Sequence, residues 1–254
     1  MTLNSTQRFT DRVADYVKYR PSYPQEVVSF LHETCGVAPA ARVADIGAGT
    51  GISAQLFIAA GHPVIAVEPN QAMRAAADSW LGDSGLFRSV AGTAEATTLE
   101  AASVDLVIAA QAFHWFDPAT ARREFARILT PSGLVALFWN SRRLEGSPFL
   151  AGYEALLRRY GIDYTLVAER YADDAAMAEW FGQGFLHQAR FANHQRLDLA
   201  GVQGRLMSSS YAPKPGHANY APMQAALRTL FERTAQDGEI ELTYDTWVYV
   251  GRPA

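Results

Sequence analysis

The chain has 254 residues, 49% of them hydrophobic and 19% charged, so it can bury a sizeable core and is not disordered. The formal net charge of −4 at pH 7 argues against a general nucleic-acid surface, which would be basic. The one cysteine, Cys35, excludes an intramolecular disulfide, and residues 1–10 lack the apolar core of a signal peptide. We therefore expect a cytoplasmic protein. No stretch of the sequence approaches the length of a membrane span, which needs about 18 consecutive apolar residues.

The first part of the chain is rich in aromatic and basic residues between Arg8 and Pro24. A helix is predicted over residues 11–19, because Pro21 disfavours helical geometry in the residue before it, and a second helix is predicted to begin at Pro24. This segment is either a packed N-terminal cap or a lid over a ligand, in which Arg20 reaches an anionic group.

A strand, a glycine-rich turn and a helix organise the rest of the chain. The apolar run at 42–46 predicts a buried strand, and residues 52–60 predict a helix. Between them Gly47, Gly49 and Gly51 alternate with small residues. Glycine adopts φ > 0 and lets a ligand contact the main chain, while the first turn of the helix offers N–H groups to an anion. The turn is therefore either a ligand-binding loop or a plain strand-to-helix connection.

The spacing of these glycines distinguishes between two classes of cofactor. A dinucleotide fold favours G-x-G-x-x-G. This chain instead has Ile52 where the third glycine of that pattern would stand, and Asp45 two residues before Gly47. The resulting pattern, D-x-G-x-G-x-G, resembles the first motif of class I S-adenosylmethionine (SAM) methyltransferases. A nicotinamide cofactor is therefore the weakest alternative.

The next β-α unit places a carboxylate at the end of its strand. The strand is predicted at 63–67, Glu68 follows it, and a helix is predicted over 71–81. A carboxylate in this position can accept hydrogen bonds from both hydroxyls of a ribose. Glu68 lies 17 residues after Gly51, where a ribose ligand is expected, and an exposed glutamate is the alternative.

The loop after the third predicted strand, residues 86–90, departs from the usual pattern. Class I methyltransferases have glycine-aspartate-alanine there, and the aspartate meets the adenine amino group. This chain has Gly92, Thr93 and Ala94, so a hydroxyl that can accept one such hydrogen bond replaces the carboxylate. Glu95 is either a substitute for the missing carboxylate or an exposed side chain.

Residues 103–110 form the clearest buried strand of the chain, and the segment 111–116 follows it. Asp117 then predicts the N-cap of a helix. Ligands of such sheets bind beyond the carboxyl ends of the strands, which places His114 over the region of methyl transfer. His114 is either a general base for a hydroxyl acceptor or, like Trp115, a packing and shape residue.

The alternation of elements predicts an α/β fold with a Rossmann-like, doubly wound, mostly parallel seven-stranded sheet, helices on both faces and an antiparallel last strand. Extra helical segments are predicted at the N-terminus and after strand five. Beyond residue 130 the predicted elements are strands at 134–139, 185–197 and 239–250 and helices at 149–160, 175–181, 199–209 and 221–235. We expect one domain over 1–254, comprising an N-terminal helical cap (1–35), a SAM-binding core (36–140) and a C-terminal part (141–254) that completes the sheet and supplies substrate-side helices.

A family resemblance extends over nearly the whole chain. The core of about residues 40–140 resembles a class I SAM-dependent methyltransferase of the broad family named for methyltransferase domain 11. Further motifs look like the trans-aconitate-methyltransferase-like branch: Y-x-x-Y-R-P-x-Y-P at 16–24, AFHWFD at 112–117, FWN at 138–140 and YDT at 244–246. These branch motifs indicate kinship, whereas the substrate depends on the site.

The resemblance implies a methyltransferase that binds SAM, releases S-adenosyl-L-homocysteine and needs neither a metal nor a covalent intermediate. The implied cofactor-binding residues are Asp45, Gly47, Ala48, Gly49, Gly51, Glu68, Pro69, Met73, Thr93, Ala94, Glu95 and Gln111, the last through its backbone carbonyl. The substrate-side residues are expected to be Tyr16, Tyr19, Arg20, His114, Trp115 and Asn140, with His114 as the candidate catalytic residue.

We expect the acceptor to be a small molecule with an oxygen nucleophile, such as a carboxylate or a hydroxyl. A carboxylate needs no base, only a cation such as an arginine to orient it. Two other functions remain open. One is methylation of a macromolecule, which the acidic balance disfavours, and the other is a non-catalytic SAM-binding regulator. No nucleic-acid or membrane partner is expected.

Overall fold

A computed structural model of the protein describes residues 19–164 and 174–253. Within them, seven strands form one sheet in the order β3-β2-β1-β4-β5-β7-β6. The strands are β1 (Val43–Ile46), β2 (Val64–Val67), β3 (Phe87–Val90), β4 (Val104–Ala110), β5 (Leu129–Arg142), β6 (Phe185–Leu197) and β7 (Ile240–Gly251). Strands β1 to β5 are parallel, and β7 is antiparallel to both of its neighbours. The predicted fold class is confirmed.

The helices lie where the sequence places them, within a few residues at each end. They are α1 (Glu26–Glu33), α2 (Ile52–Ala59), α3 (Gln71–Leu81), α4 (Pro118–Ile128), α5 (Pro148–Tyr160), α6 (Asp174–Phe181), α7 (Leu199–Met207) and α8 (Tyr220–Thr234). Side-chain oxygens of Asn70, Asp117, Ser147 and Asp198 accept hydrogen bonds from first-turn N–H groups of α3, α4, α5 and α7. The helix predicted over 11–19 lies outside the described residues, apart from Tyr19.

Two hydrophobic clusters cover the two faces of the sheet, because successive strand residues point to opposite sides. Leu106 and Ile108 of β4 pack in the cluster with α1 and α2, whereas Val107 and Ala109 pack in the cluster with α4 and α6. A third cluster joins α5, α7 and α8 to β7. Among the described residues, no helix combines the length and the apolar character needed to cross a bilayer.

Strand β5 is longer than the sequence predicts, and its extension shapes the site. The sequence predicts a strand only over 134–139, but the observed strand begins at Leu129 and includes residues 131–133. The register against β4 shifts between its residues 104 and 106, which accommodates 131–133 as a bulge. At the other end, Arg142 pairs with Tyr244 of β7. Pairing with β7 alone therefore carries β5 past the edge of the parallel strands.

A buried histidine joins α1 to the connection between α2 and β2. His62 is fully buried, and its Nδ1 lies 2.9 Å from the carbonyl oxygen of Ala41. Because a carbonyl can only accept, Nδ1 carries the proton and the bare Nε2 faces Nε2 of His32 at 2.8 Å. Burial lowers the pKa of His62, the hydrogen bond to Ala41 opposes this shift, and His32 adds to it.

We therefore expect His62 to make folding stability fall at acidic pH. A lowered histidine pKa means that the unfolded chain binds more protons, so stability is lost as pH falls below about 6.5. His62→Asn keeps a donor for Ala41 without the titration, so its free energy of unfolding should decline less between pH 7 and 5. Denaturant unfolding across this range measures the difference, with exposed His194→Asn as control. Parallel pH profiles of the wild type and His62→Asn would contradict the assignment.

Candidate active site

A cavity of about 550 Å³ lies at the carboxyl edge of the parallel strands, within the size range of small-molecule sites. Loops after β1 to β4 contribute one group of lining residues, which we call the first half: Gly47, Gly49, Glu68, Pro69, Asn70, Met73, Thr93, Ala94, Glu95 and Gln111. The C-terminal part of the chain contributes the second half: Asn140, Ser141, Arg142, Glu154, Arg158, Tyr164, Arg205, Tyr211 and Tyr244. His114 and Trp115 line the cavity as well.

The glycines of the turn after β1 serve two different purposes. Gly49 has φ of +58° and lines the cavity, and a Cβ added there would meet only Sδ of Met73, at 3.8 Å. Gly51 has φ of +86°, but a Cβ there would come within 2.6 Å of Cδ1 of Leu81 in α3. Gly51 therefore packs against a helix and does not line the cavity, whereas Gly49 exposes main chain to it. Ala48 lines a smaller adjoining cavity of about 40 Å³.

Glu68 holds the glycine turn and the next helix together. Its Oε2 accepts a hydrogen bond from the N–H of Gly49 at 3.0 Å, and its Oε1 accepts one from the N–H of Asn70 at 2.8 Å. Burial raises the pKa of Glu68, and the two N–H donors oppose that shift. The sequence alternative of an exposed glutamate does not hold, since the residue is only 8% exposed.

Asp45 lies behind the turn and outside the lining of the cavity. The residue is fully buried, and its Oδ2 accepts a 2.6 Å hydrogen bond from Oγ of Ser53 in α2. Its Oδ1 has no hydrogen-bond partner among the described residues. Burial raises the pKa of Asp45 to about 7, which the Ser53 hydrogen bond limits and the charge of Glu68 increases. Its contact with Ser53 ties β1 to the first turn of α2.

Gln111 follows β4 in a strained conformation. Its φ of +55° is uncommon for a residue with a side chain, and such strain persists only where surrounding contacts enforce it. The N–H of Gln111 donates to the oxygen of Phe138, and its Oε1 accepts from the N–H of Asn140 at 3.0 Å. These two hydrogen bonds to β5 hold the main chain of Gln111 in place where it turns beside the cavity.

The loop after β3 supplies Thr93, Ala94 and Glu95 to the first half of the cavity. Thr93 and Ala96 exchange main-chain hydrogen bonds of 3.1 and 3.2 Å, which close this loop into a tight turn. Oε1 of Glu95 accepts the N–H of Asp117 at 2.8 Å. Glu95 is therefore held at the cavity by the start of α4 and is not simply solvated.

The expected substrate-side residues separate into three groups. His114 and Trp115 lie in a short 3-10 helix at the cavity, with ring centroids 4.7 Å apart. Asn140 and Arg20 also line the cavity. Tyr19 does not line it, because its ring packs over Gly204 and its carbonyl accepts from Gln195.

Tyr16 completes that expected set and lies outside the described residues. Asn140 is committed to the structure around it, since its Nδ2 donates to the oxygen of Ser22. Its Oδ1 also accepts from Oγ1 of Thr246 at 2.6 Å and from Nδ2 of Asn193 at 3.1 Å.

Sequence reasoning missed the cationic second half of the cavity. Arg205 is only 7% exposed, and it donates to Oγ of Ser209 at 3.0 Å and to the hydroxyl of Tyr244 at 3.4 Å. It forms no ion pair with any of the described residues. Burial alone would lower the pKa of Arg205, but the hydroxyls of Tyr244 and Tyr211 raise it. A guanidinium that keeps its charge, without a carboxylate partner from residues 19–164 or 174–253, therefore lines the cavity.

Comparison with known families identifies the core that carries the first half of the cavity. Residues 44–137 match the model of a family described as a methyltransferase domain. These residues are similar to a class I methyltransferase domain, a kind of domain whose cofactor is S-adenosyl-L-methionine.

Three relatives extend the likeness beyond this core. An uncharacterised methyltransferase of Mycobacterium tuberculosis is 41% identical over 134 residues, which are 53% of this chain and 52% of that one, so the match spans about half of that curated relative. An uncharacterised methyltransferase-like protein of Schizosaccharomyces pombe is 29% identical over 247 residues, which cover 95% of this chain and 93% of it. A solved structure from Anaeromyxobacter dehalogenans, of a protein proposed to be a type II methyltransferase, has a TM-score of 0.69 at 25% identity and covers 92% of this chain and 98% of that one.

The residues of the first half fit this cofactor. Gly49 leaves main chain open to a ligand, and the carboxylate of Glu68 is positioned beside it to accept hydroxyl hydrogens. The strained Gln111 places a main-chain turn at the end of β4, and Met73 offers an apolar thioether surface. Exposed main chain, the two carboxylates of Glu68 and Glu95 and apolar walls together suit a ligand with a ribose, an aromatic base and an amino-acid end.

Substitution of Gly49 should separate cofactor contact from backbone strain. Gly49→Ala and Gly36→Ala both place a side chain at positive φ, +58° and +73°, so each should lose about 1–2 kcal/mol of unfolding free energy. Only Gly49→Ala should weaken binding of S-adenosylhomocysteine in calorimetry, by more than about tenfold, because only that methyl group enters the cavity. Equal affinities of the two variants would show that the turn does not contact the ligand.

Glu68→Gln should weaken cofactor binding while the fold is retained. The amide oxygen preserves one of the two N–H contacts, but the loss of charge removes charge-assisted hydrogen bonds worth about 1.5–3 kcal/mol. Calorimetry with S-adenosylhomocysteine measures this loss, and NAD serves as the ligand expected not to bind. The exposed Glu100→Gln is the matched control. Wild-type affinity in Glu68→Gln would leave its carboxylate a structural role only.

Proposed function

We propose that the protein transfers the methyl group of SAM to an oxygen atom of a small acidic acceptor. A carboxylate is the preferred acceptor group, and a hydroxyl is the alternative. The observation that carries this proposal is Arg205, a buried guanidinium that lines the cavity and pairs with no carboxylate of the described residues.

The energetics of burial favour an anionic occupant. Removing a cation from water carries an effective penalty of several kcal/mol, which the hydroxyls of Ser209 and Tyr244 offset only in part. A carboxylate would complete the set, because guanidinium and carboxylate form two parallel hydrogen bonds in one plane. A neutral amine or phenol would leave the charge of Arg205 uncompensated.

The chemistry asked of the chain is mainly positioning. The sulfonium of SAM supplies an activated methyl group. Arg205 would orient the acceptor carboxylate, and the glycine turn and Glu68 would fix the donor, so that alignment provides ~7–11 kcal/mol of the barrier. A carboxylate is already ionised at neutral pH, so no general base is required. We propose that His114 gives shape to the cavity together with Trp115 and does not act as a base.

The second candidates are methylation of a macromolecule and SAM binding without transfer. Arg205 is reached through the cavity and is 7% exposed, which suits a free small acid better than a side chain of a folded partner. Turnover of SAM to S-adenosylhomocysteine in a mixture of small acids separates an enzyme from a regulator.

An acceptor screen with labelled SAM tests the proposal. Small carboxylic acids should yield base-labile methyl esters, with kcat level between pH 6 and 9, whereas phenols and amines should react poorly. Arg205→Met should raise the acceptor KM by about tenfold or more, because a charged hydrogen bond is worth about 1.5–3 kcal/mol. The matched control is Arg233→Met, at an exposed position in the last turn of α8.

Two results would contradict this assignment. Methylation of amines alone would exclude an oxygen acceptor. A loss of S-adenosylhomocysteine affinity in Arg205→Met would assign this arginine to the carboxylate of the cofactor, since Arg205 also lines the smaller cavity beside Gly49.

A further inference from the structure

The second half of the cavity holds two buried arginines in opposite electrostatic states. The side chain of Arg142 is 10% exposed, and its Nη2 lies 2.6 Å from Oε2 of Glu154 on α5. Arg205 lines the same space without an ion pair among the described residues. Within the described part of the chain, a carboxylate therefore neutralises Arg142 but not Arg205.

Glu154 is held in place from several directions. Its Oε2 also accepts the hydroxyl of Tyr164 at 2.6 Å, and its Oε1 lies 2.8 Å from Nε of Arg158. Burial alone would raise the pKa of Glu154, but hydrogen bonds from Tyr164 and Arg142 bring it below its usual value. The carboxylate therefore remains ionised and keeps its position at neutral pH.

Arg142 is in turn fixed against the wall of the cavity. Its Nη2 donates to the hydroxyl of Tyr164 at 3.2 Å, and its guanidinium carbon lies 5.1 Å from the ring centroid of Tyr153. Pairing with Glu154 engages Nη2 of Arg142 and offsets its charge, while the ring of Tyr153 covers one face of the guanidinium, so a second acceptor carboxylate gains little there.

We propose that Glu154 is a specificity-determining residue that neutralises Arg142 and so limits the site to acceptors that bring a single carboxylate into the second half of the cavity, where Arg205 receives it. The proposal rests on the proposed function, because it names the class of acid that the same site accepts. Glu154 acts through Arg142 and is a positioning residue, not a catalytic one.

The other cations at the cavity do not change this balance. Arg158 is 57% exposed and remains largely solvated at the rim, where an ion pair contributes little. Arg20 lines both cavities, and its Nη2 donates to the carbonyl of Ser208, so it is held by the segment after α7 and not by the Arg142–Glu154 pair.

Matched acids of one skeleton test the proposal by binding. The probes are glutarate, a dianion, and its monomethyl ester, a monoanion, titrated at pH 7.5 into the full chain saturated with S-adenosylhomocysteine. Wild type should bind the monoester at least as tightly as the diacid. Glu154→Gln leaves Arg142 without its counter-charge, so the ratio of the two dissociation constants should shift towards glutarate by about tenfold or more.

The double variant Arg142→Gln/Glu154→Gln is the control, because it removes the uncovered cation and should return the ratio to the wild-type value. A restored ratio in the double variant would also show that the change in Glu154→Gln does not come from poor folding. The melting temperature of each protein checks the same point. An unchanged ratio in Glu154→Gln would mean that Glu154 has only a structural role. A wild type that prefers glutarate would overturn the role proposed for Glu154 but would leave the acidic acceptor in place. Binding of neither acid, with S-adenosylhomocysteine bound normally, would overturn the acidic acceptor itself.

Discussion

Parallel pairing of β1 with β2 and β4 is the constraint on which the site depends. In a parallel sheet every strand delivers its carboxyl end to the same edge, so residues far apart in sequence meet there. Gly49, Glu68 and Gln111 each follow a different strand, and main-chain hydrogen bonds of the sheet set their spacing. The turns after β1 and β2 must therefore lie side by side. As a consequence, the carboxylate of Glu68 accepts hydrogen bonds from N–H groups of both turns.

The antiparallel end of the sheet builds the other half of the site. Pairing with β7 extends β5 to Arg142 and places Tyr244 opposite it. Helices α5 and α7 pack on this extension and contribute Glu154 and Arg205. A fold shared by many methyltransferases thus carries buried charges particular to this chain. They lie in the second half of the cavity, where the backbone imposes no particular side chain. This is why the fold and the first half of the cavity follow from general rules, whereas the second half depends on a few buried charges.

The sequence predicts the first half of the cavity well and the second half poorly, for a physical reason. Gly49, Glu68 and Gln111 stand at fixed places relative to strands that apolar patterns reveal, so their neighbours can be inferred. Arg205 instead gains its meaning from contacts with elements distant in sequence. One local signal did exist, since α7 buries Val202, Arg205 and Leu206 on one face and a charge there contradicts the apolar pattern.

Asn140 links the two halves into one unit. Its N–H binds the side chain of Gln111, whose strained φ lies in the first half, and its Oδ1 accepts the hydroxyl of Thr246 in β7. Its Nδ2 reaches the carbonyl of Ser22, so the segment before α1 joins the same network. A buried network in which each member is satisfied resists displacement, because breaking one bond leaves a polar group unpaired. The relative position of the two halves of the cavity is therefore set by the fold itself, which would suit a reaction that relies on alignment.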